Sequence, residues 1–324
     1  MLQEVESTQS ETCTDEGDAY YHELKEEIKK KKIEEQKYRR KLNIEARKMV
    51  TETIHQDIKM IVHRPEITQK DKEAYQQLVL ELSPVIEEMT RRAMAILEHE
   101  HSESMVKNKM YGTHYCIENV AKQDFRYFAR KNTPENSPDL VVALRIDESA
   151  SMAAFGRIDA AKRAAVAVYE FCTRCKIPVL IYGDTADRSR MEQMSMFAYC
   201  DIDRVDSQDG FRLMNIQPRS NNRDGMSMRI LAEKLLNLNE QTKLMICISD
   251  GQPKAMPDYS GRKATDDMHD ILSEYRRRGI TFLAAAIGQD KELISEYYGK
   301  DSFLDISDLK QLPLRLVDII TRYL

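Results

Sequence analysis

Residues 140–151, Leu-Val-Val-Ala-Leu-Arg-Ile-Asp-Glu-Ser-Ala-Ser, place an apolar run directly before a short polar loop. The apolar part predicts a buried strand of a parallel sheet, and the residues after the loop have a helical pattern. Asp147, Ser149 and Ser151 then fall at the carboxyl end of the strand, the edge at which open α/β sheets bind ligands. Three small oxygen donors at alternate positions suit a hard cation such as Mg²⁺ better than zinc or copper.

Strands and helices alternate from this loop to the end of the chain. Strands are predicted at residues 140–146, 177–182, 194–200, 243–249 and 280–287. We expect the strand at 194–200 to be antiparallel, after a turn near Gly183-Asp184. Helices are predicted at residues 158–173, 225–236, 265–278, 293–298 and 309–324. This order predicts an α/β fold with a doubly wound, mostly parallel sheet, preceded by an α-helical N-terminal extension.

The first 136 residues have a different composition. Residues 1–19 are acidic and polar, which predicts a disordered tail. Residues 20–61 are rich in Glu, Lys and Arg and predict a long charged helix, and residues 68–101 carry one apolar face that predicts a packed helix. Residues 102–139 are interpreted as a connector with helical pieces. We therefore divide the chain into a tail (1–19), a helical extension and lead-in (20–136) and an α/β domain (137–324).

Charge and cysteine usage restrict the classes of function. The net charge of −5 argues against a nucleic-acid binder, because phosphate contacts need a basic surface. The sequence contains no run of about 18 apolar residues, so we expect no membrane span. The six cysteines are scattered through predicted core elements, a pattern typical of reduced thiols. We expect a cytoplasmic protein.

Two later loops complement the first. Ile248-Ser249-Asp250-Gly251 brings a second carboxylate to the end of another predicted parallel strand, and residues 220–225 form a polar loop before a helix. Asn222 and Asp224 in that loop are further oxygen donors. Two structural alternatives stay open here, because Asp224 is also a suitable helix N-cap and Asn222 a suitable turn residue.

Together these loops resemble the von Willebrand factor type A domain with its metal-ion-dependent adhesion site. The resemblance assigns Asp147, Ser149 and Ser151 to the first metal-binding loop of that family and Asp250 to the third. It implies a bound Mg²⁺ or Mn²⁺. A protein partner would then give the ion a carboxylate as its last ligand, so the resemblance implies binding without a catalytic residue.

The second loop departs from the family pattern. A threonine ligand is usual there, whereas this chain has Asn222-Arg223-Asp224-Gly225, and Ala150 stands where glycine is usual. The sequence around this loop, residues 212–219 and 222–229, is similar to a bacterial subgroup that contains the nitric-oxide-reductase activation protein and the cobaltochelatase T subunit. In this interpretation Asn222 or Asp224 completes the metal sphere.

The subgroup also implies partners. We expect an AAA+ ATPase of the MoxR or chelatase type, and a client protein that is remodelled, activated or loaded with a metal or cofactor. The chain would be a non-enzymatic adaptor, or alternatively a subunit of a metal chelatase complex. Asp147 and Asp250 could also serve a Mg²⁺-dependent phosphotransferase of the haloacid-dehalogenase type, but that chemistry wants an acid where Ser149 stands.

Other motifs are weaker. The chain lacks the glycine-rich nucleotide-binding patterns and the Gly-x-Ser-x-Gly elbow. Cys172 and Cys175 form a Cys-x-x-Cys pair at the predicted end of a helix, where the helix dipole disfavours a thiolate. We therefore interpret the pair as core packing.

Overall fold

A seven-stranded sheet forms the framework of residues 49–324. The computed structural model describes residues 2–101, 105–111, 114–117, 126–131, 139–250, 253–286, 298 and 303–305. The sheet contains β1 (Met60–His63), β5 (Leu140–Asp147), β6 (Val179–Ser189), β7 (Glu192–Cys200), β8 (Thr242–Ile248), β9 (Ile280–Ala286) and β10 (Phe303–Asp305). Its order is β1-β7-β6-β5-β8-β9-β10, and only the β6–β7 pair is antiparallel. The predicted mostly parallel α/β sheet is confirmed.

The helices of the described residues are α1 (Leu2–Met49), α2 (Gln69–His101), α3 (Arg157–Arg174), α4 (Asp209–Arg212), α5 (Asp224–Leu236) and α6 (Gly261–Arg277). The chain forms two compact units, Met1–Lys48 and Met49–Leu324. The predicted divisions at residues 19/20 and 136/137 stay predictions. None of the described helices has the length and apolar character that a membrane span needs.

Strand β5 separates two helical layers. Its even-numbered side chains, from Leu140 to Ile146, share a core with α2 and α3. Its odd-numbered side chains face α5, since Arg145 hydrogen-bonds to Ser227 of that helix. Successive residues of a strand point to opposite faces, so the sheet is covered on both sides and is doubly wound. The predicted apolar face of α2 is confirmed by the burial of Leu82, Ile86 and Met89.

The N-terminal region differs from the expectation in two places. Helix α1 includes residues 2–19, for which composition predicted disorder, and Glu-rich sequence does have good intrinsic helix propensity. The predicted helix over residues 20–61 ends at Met49, and residues 60–63 form β1 instead. Pairing of β1 with β7 buries Met60 and Val62, a tertiary contact that outweighs local propensity.

The connector at residues 102–139 is also different from the prediction. Its described residues form a three-stranded antiparallel sheet of β2 (Met105–Lys109), β4 (Phe128–Lys131) and β3 (His114–Tyr115), in that order. An aromatic pair between Tyr115 and Phe128, with ring centroids 5.4 Å apart, joins β3 to β4. Cross-strand aromatic contacts stabilise such pairs, so the aromatic segment favours strands over helical pieces.

The prediction of a turn near Gly183-Asp184 was wrong. Strand β6 continues through both residues to Ser189, and the chain turns at Arg190-Met191 before β7. Gly183 serves close packing, because a Cβ at that position would lie 1.8 Å from Oε1 of Glu148. The helices predicted at residues 293–298 and 309–324 lie outside the described residues, apart from Tyr298.

Candidate functional site

Three loops meet at the carboxyl edge of the parallel strands. β5 and β8 are parallel neighbours, so Asp147 and the Ser249-Asp250 pair end at the same edge. The second loop joins them because Ser220 accepts a hydrogen bond from the backbone N–H of Ala150 at 2.6 Å. The backbone N–H of Asn222 in turn donates to the carbonyl of Lys254 at 3.2 Å. The fold therefore brings the three predicted loops together.

Asp147 lies at the centre of the cluster and is fully buried. Its Oδ1 accepts a hydrogen bond from the backbone N–H of Ser149 at 2.8 Å. Its Oδ2 accepts from Oγ of Ser249 and from Nδ2 of Asn222, each at 3.0 Å. Burial raises the pKa of Asp147 well above its ordinary value, and the nearby Asp224 carboxylate raises it further.

The two serines of the first loop share one hydrogen bond. Oγ of Ser149 lies 2.9 Å from Oγ of Ser151, with Ser149 buried and Ser151 exposed. This geometry places two neutral oxygen donors side by side between the buried Asp147 and solvent. Ala150, which stands in the glycine position of the family pattern, is exposed and donates its N–H to the second loop.

Asn222 uses its amide nitrogen, and not its oxygen, toward the carboxylates. Nδ2 donates to Oδ2 of Asp147 at 3.0 Å and to Oδ1 of Asp224 at 2.9 Å. Its Oδ1 accepts from the backbone N–H of Lys254 at 3.0 Å. In this arrangement Asn222 links two acids and anchors the third loop, so an oxygen ligand from it would require the loss of the Lys254 contact.

Asp224 is held from the opposite side. Its Oδ1 also accepts from Nη2 of Arg145 at 2.7 Å, and its Oδ2 accepts from Oγ of Ser249 at 3.3 Å. The capping alternative for Asp224 is wrong, because the N-cap of α5 is Arg223, and the first-turn N–H of Gly225 donates to the hydroxyl of Tyr259 at 3.1 Å. Long-range contacts to Arg145 and Ser249 account for the orientation of this carboxylate.

Asp250 follows β8 and is buried. Its Oδ2 lies 3.7 Å from Nη1 of Arg157, the first residue of α3. Arg157 also donates to the carbonyl of Ser151 at 3.4 Å. The first and third loops are thus joined through one guanidinium. Gly251 lies outside the described residues.

The sequence analysis missed Arg145 and Asp184, two buried residues that organise the site. Asp184 lies beside Asp147 in the β5–β6 register. Nε and Nη2 of Arg145 donate to the two oxygens of Asp184 at 2.6 and 2.9 Å. Burial raises the pKa of Asp184 to about 6, against the opposing effect of Arg145. The available signal was a single arginine inside the otherwise apolar run 140–146.

The acidic side chains of this cluster outnumber the basic ones. Asp147, Asp184 and Asp224 bring three buried carboxylates around one guanidinium, that of Arg145. Like charges in a site of low polarity repel, so a bound cation would relieve an existing cost. The available donors are carboxylate and hydroxyl oxygens, which suit Mg²⁺ or Mn²⁺. In the described part of the chain, no three His, Cys, Asp or Glu side chains are grouped to hold a metal by themselves.

Glu148 stands between the candidate ligands in sequence but points away from them. Its carboxylate accepts from Nε of Arg219 at 2.7 Å and from the hydroxyl of Tyr199. Burial raises the pKa of Glu148 to about 7. The guanidinium of Arg219 also stacks on the ring of Phe197 at 3.9 Å. Glu148 therefore anchors the second loop to the sheet and contributes no candidate ligand.

The Cys172–Cys175 pair is part of the core, as the sequence predicted. Both thiols are buried at the end of α3. Burial raises the pKa of the Cys172 thiol far above its ordinary value and that of Cys175 to about 11. Neither thiol has the depressed pKa of a redox-active cysteine.

Comparison with known proteins finds bacterial relatives. No protein-family model matches the chain. It is 29% identical over 241 residues to the uncharacterized protein YojO of Bacillus subtilis (strain 168), covering 69% of this chain and 37% of YojO. It is 26% identical over 106 residues to the protein NorD of Brucella melitensis biotype 1, covering 32% of this chain and 17% of NorD. The matched part of the chain covers less than two fifths of the length of either relative. The proteins similar to this chain thus include NorD.

Solved structures show a more distant likeness. The von Willebrand factor type A protein from Catenulispora acidiphila has a TM-score of 0.38 and 14% identity, over 58% of this chain and 43% of that chain. Proximal thread matrix protein 1 from the mussel byssus, solved with a zinc-occupied MIDAS motif, has a TM-score of 0.43 and 16% identity, over 58% and 47%. Similarity at this level supports no functional inference.

Proposed function

We propose that this chain is a von Willebrand A-type module that binds Mg²⁺ or Mn²⁺ at the three-loop site and uses the ion to bind a carboxylate of another protein. The observation that carries the proposal is the buried Asp147, which accepts hydrogen bonds from Ser249 and Asn222 in a cluster where three acids surround one arginine. NorD-like relatives support the assignment to the bacterial subgroup.

Each residue has a definite part in this proposal. Ser149 and Ser151 supply neutral hydroxyl oxygens, and Asp147 and Asp250 supply the negative charge that attracts the ion. Asn222 and Asp224 belong to the site as well, with the Asn222 amide positioning the two carboxylates that it contacts. The ion would act as a Lewis acid that holds a partner's carboxylate. Neutral ligands leave it enough positive charge for that contact.

The proposed partner is an AAA+ ATPase of the MoxR or chelatase type, and the client protein or the ATPase gives the carboxylate. The chain itself would be a cytoplasmic, non-enzymatic adaptor for remodelling, activation or metal and cofactor insertion. A role as a subunit of a metal chelatase complex is the alternative. The gene beside this one discriminates the two, since a cobalamin or chlorophyll pathway gene favours the chelatase role.

Metal binding is tested first on the protein alone. We expect millimolar Mg²⁺ to raise the unfolding temperature of the wild type, because an ion that binds only the folded state stabilises it. Asp147→Asn should lose this shift, whereas Asp266→Asn, an exposed acid paired with Arg262 on α6, should keep it. Equal shifts in both variants would contradict the site.

The protein contact is tested by capture of a MoxR-type or chelatase-type AAA+ ATPase encoded in the same genome, with Mg²⁺ or with EDTA. We expect capture by the wild type and by Asp266→Asn in Mg²⁺ only. Metal-independent capture by Asp147→Asn would overturn the metal-dependent contact.

A panel of phosphate esters tests the phosphotransferase alternative, which would be supported by turnover that disappears in Asp147→Asn.

A further inference from the structure

The short 3₁₀-helical segment Ala150–Gly156, which overlaps the end of the first loop, holds one aromatic side chain out in solvent. Phe155 is 91% exposed, the highest value among the large apolar side chains that are exposed in the described residues. Met152, three residues earlier in the same segment, is buried. The segment can therefore bury an apolar side chain, and it leaves the larger Phe155 in water.

The backbone holds this exposed position with strain. Phe155 has φ 55° and ψ 24°, in the left-handed region, and Gly156 follows at φ 68° and ψ 18°. Bulky residues seldom adopt this conformation, since their Cβ approaches the backbone closely. Such strain persists mostly at functional sites. Exposure and strain together set Phe155 apart from ordinary exposed apolar residues.

Arg157 connects the ring to the candidate metal site. Its guanidinium carbon lies 5.4 Å from the centroid of the Phe155 ring. The same guanidinium lies 3.7 Å from Oδ2 of Asp250 and donates to the carbonyl of Ser151. Arg157 therefore contacts the Phe155 ring and two candidate ligand residues, Ser151 and Asp250, so Phe155 lies beside the candidate metal site.

We infer that Phe155 is the apolar anchor of the partner contact. The partner segment that gives its carboxylate to the metal also places an aliphatic side chain, next to that carboxylate in sequence, against the Phe155 ring. This inference rests on the proposed function and names the chemistry of its partner: an acidic residue flanked by an apolar one.

Charge complementarity selects this partner over a purely apolar one. Without a cation, the buried acids Asp147 and Asp250 disfavour the approach of a further carboxylate. With a cation, the site and the Arg157 guanidinium attract one, and the ring beside them offers apolar area that salt does not screen. Aromatic side chains and arginine are both enriched in protein interfaces relative to the rest of the surface.

Two labelled peptides test the inference by fluorescence polarisation. Both contain one glutamate in a glycine–serine sequence, and in one of them leucine flanks the glutamate. The proteins are the wild type, Phe155→Ala, Phe155→Leu and a control, Val205→Ala, whose side chain is also exposed. All should fold alike, because the changed side chains are in solvent.

We expect the leucine peptide to bind the wild type and Val205→Ala roughly tenfold more tightly than the serine peptide, in Mg²⁺ only. The preference should disappear in Phe155→Ala and return in part in Phe155→Leu. Mg²⁺-dependent binding of both peptides with no preference, or a preference that survives in Phe155→Ala, overturns this inference alone. Failure of both peptides to bind in Mg²⁺ overturns the proposed carboxylate contact and the inference with it.

Discussion

At the scale of single residues, Arg145 decides whether the site can exist in a folded protein. It is fully buried and contacts Asp184, Asp224 and Ser227. Without it, three carboxylates would share a buried site with no direct cationic partner of their own. The sequence motif of the first loop starts two residues after this arginine, so a search for motifs alone does not include it.

Replacement of Arg145 by methionine should therefore destabilise the protein by about 3–5 kcal/mol, the usual cost of leaving a buried charge without its partner. Urea unfolding in EDTA measures this loss. Arg262→Met is the matched control, because its exposed pair with Asp266 contributes within about 1 kcal/mol. Millimolar Mg²⁺ should restore part of the stability lost in Arg145→Met. An equal loss in both variants would show that Arg145 has no special role.

The pH dependence follows from Asp184. Its pKa is raised by burial from 3.8 to about 6, so the folded state favours the neutral acid. The preference for protonated Asp184 stabilises the folded state fully below about pH 4, and this stabilisation is lost as the pH rises through about 6. Stabilisation by Mg²⁺ has the opposite dependence, because a cation favours ionised carboxylates.

We therefore expect the rise in unfolding temperature caused by Mg²⁺ to be small near pH 4 and to grow through about pH 6. Thermal unfolding with Mg²⁺ and with EDTA at each pH measures the difference. A shift that is constant across this range would contradict the coupling between the buried acids and the ion.

At the scale of elements, the start of α5 depends on close packing against α6. A Cβ on Gly225 would lie 1.9 Å from Oδ2 of Asp267 and 2.6 Å from the hydroxyl of Tyr259. That carboxylate accepts a hydrogen bond from Tyr259 at 2.7 Å and contacts Nε2 of His55 at 3.1 Å. The network joins the residues after α1 to the helix that begins at Asp224.

Gly225→Ala should consequently cost about 1–3 kcal/mol through overpacking. In an Asp267→Ala background the same change should cost less, since the nearest clashing atom is gone. Chemical unfolding of the two single variants and the double variant measures this coupling. Additive losses would show that Gly225 is needed for another reason.

Helix α3 ends in a thiol pair that should be unreactive. Burial raises the pKa of both Cys172 and Cys175, so the nucleophilic thiolate is scarce. We expect iodoacetamide near pH 8 to leave both residues unmodified in the native protein and to alkylate both after unfolding. Mass spectrometry of the peptide that contains the pair distinguishes the states. Native alkylation would contradict the core interpretation.

At the scale of the whole molecule, the site is assembled from loops that lie far apart in sequence. Asp147 contacts Asn222 and Ser249, at sequence separations of 75 and 102 residues. The parallel order of β5 and β8 brings two of the loops to one edge, and backbone hydrogen bonds add the third. Binding at one loop should therefore affect all three.

Hydrogen exchange tests this cooperative assembly. We expect Mg²⁺ to slow exchange in all three loops together, because the ligands and their supporting hydrogen bonds form one network. Asp147→Asn should remove the effect from the loops at residues 220–225 and 249–256 as well as from its own loop. Slowing that is confined to residues 147–151 would contradict the common site.

The sequence by itself determined the fold class, the central strand β5 and the loops that carry Asp147, Asn222, Asp224 and Asp250. Apolar runs and helical spacing are local signals, and they are sufficient to place strands, helices and the polar residues between them. Only the tertiary structure decided the β1 edge strand, the continuation of β6 through Asp184 and the orientation of the Asn222 amide. These features depend on partners distant in the chain, such as Arg145 for Asp184 and Lys254 for Asn222, and local pattern contains no information on such contacts.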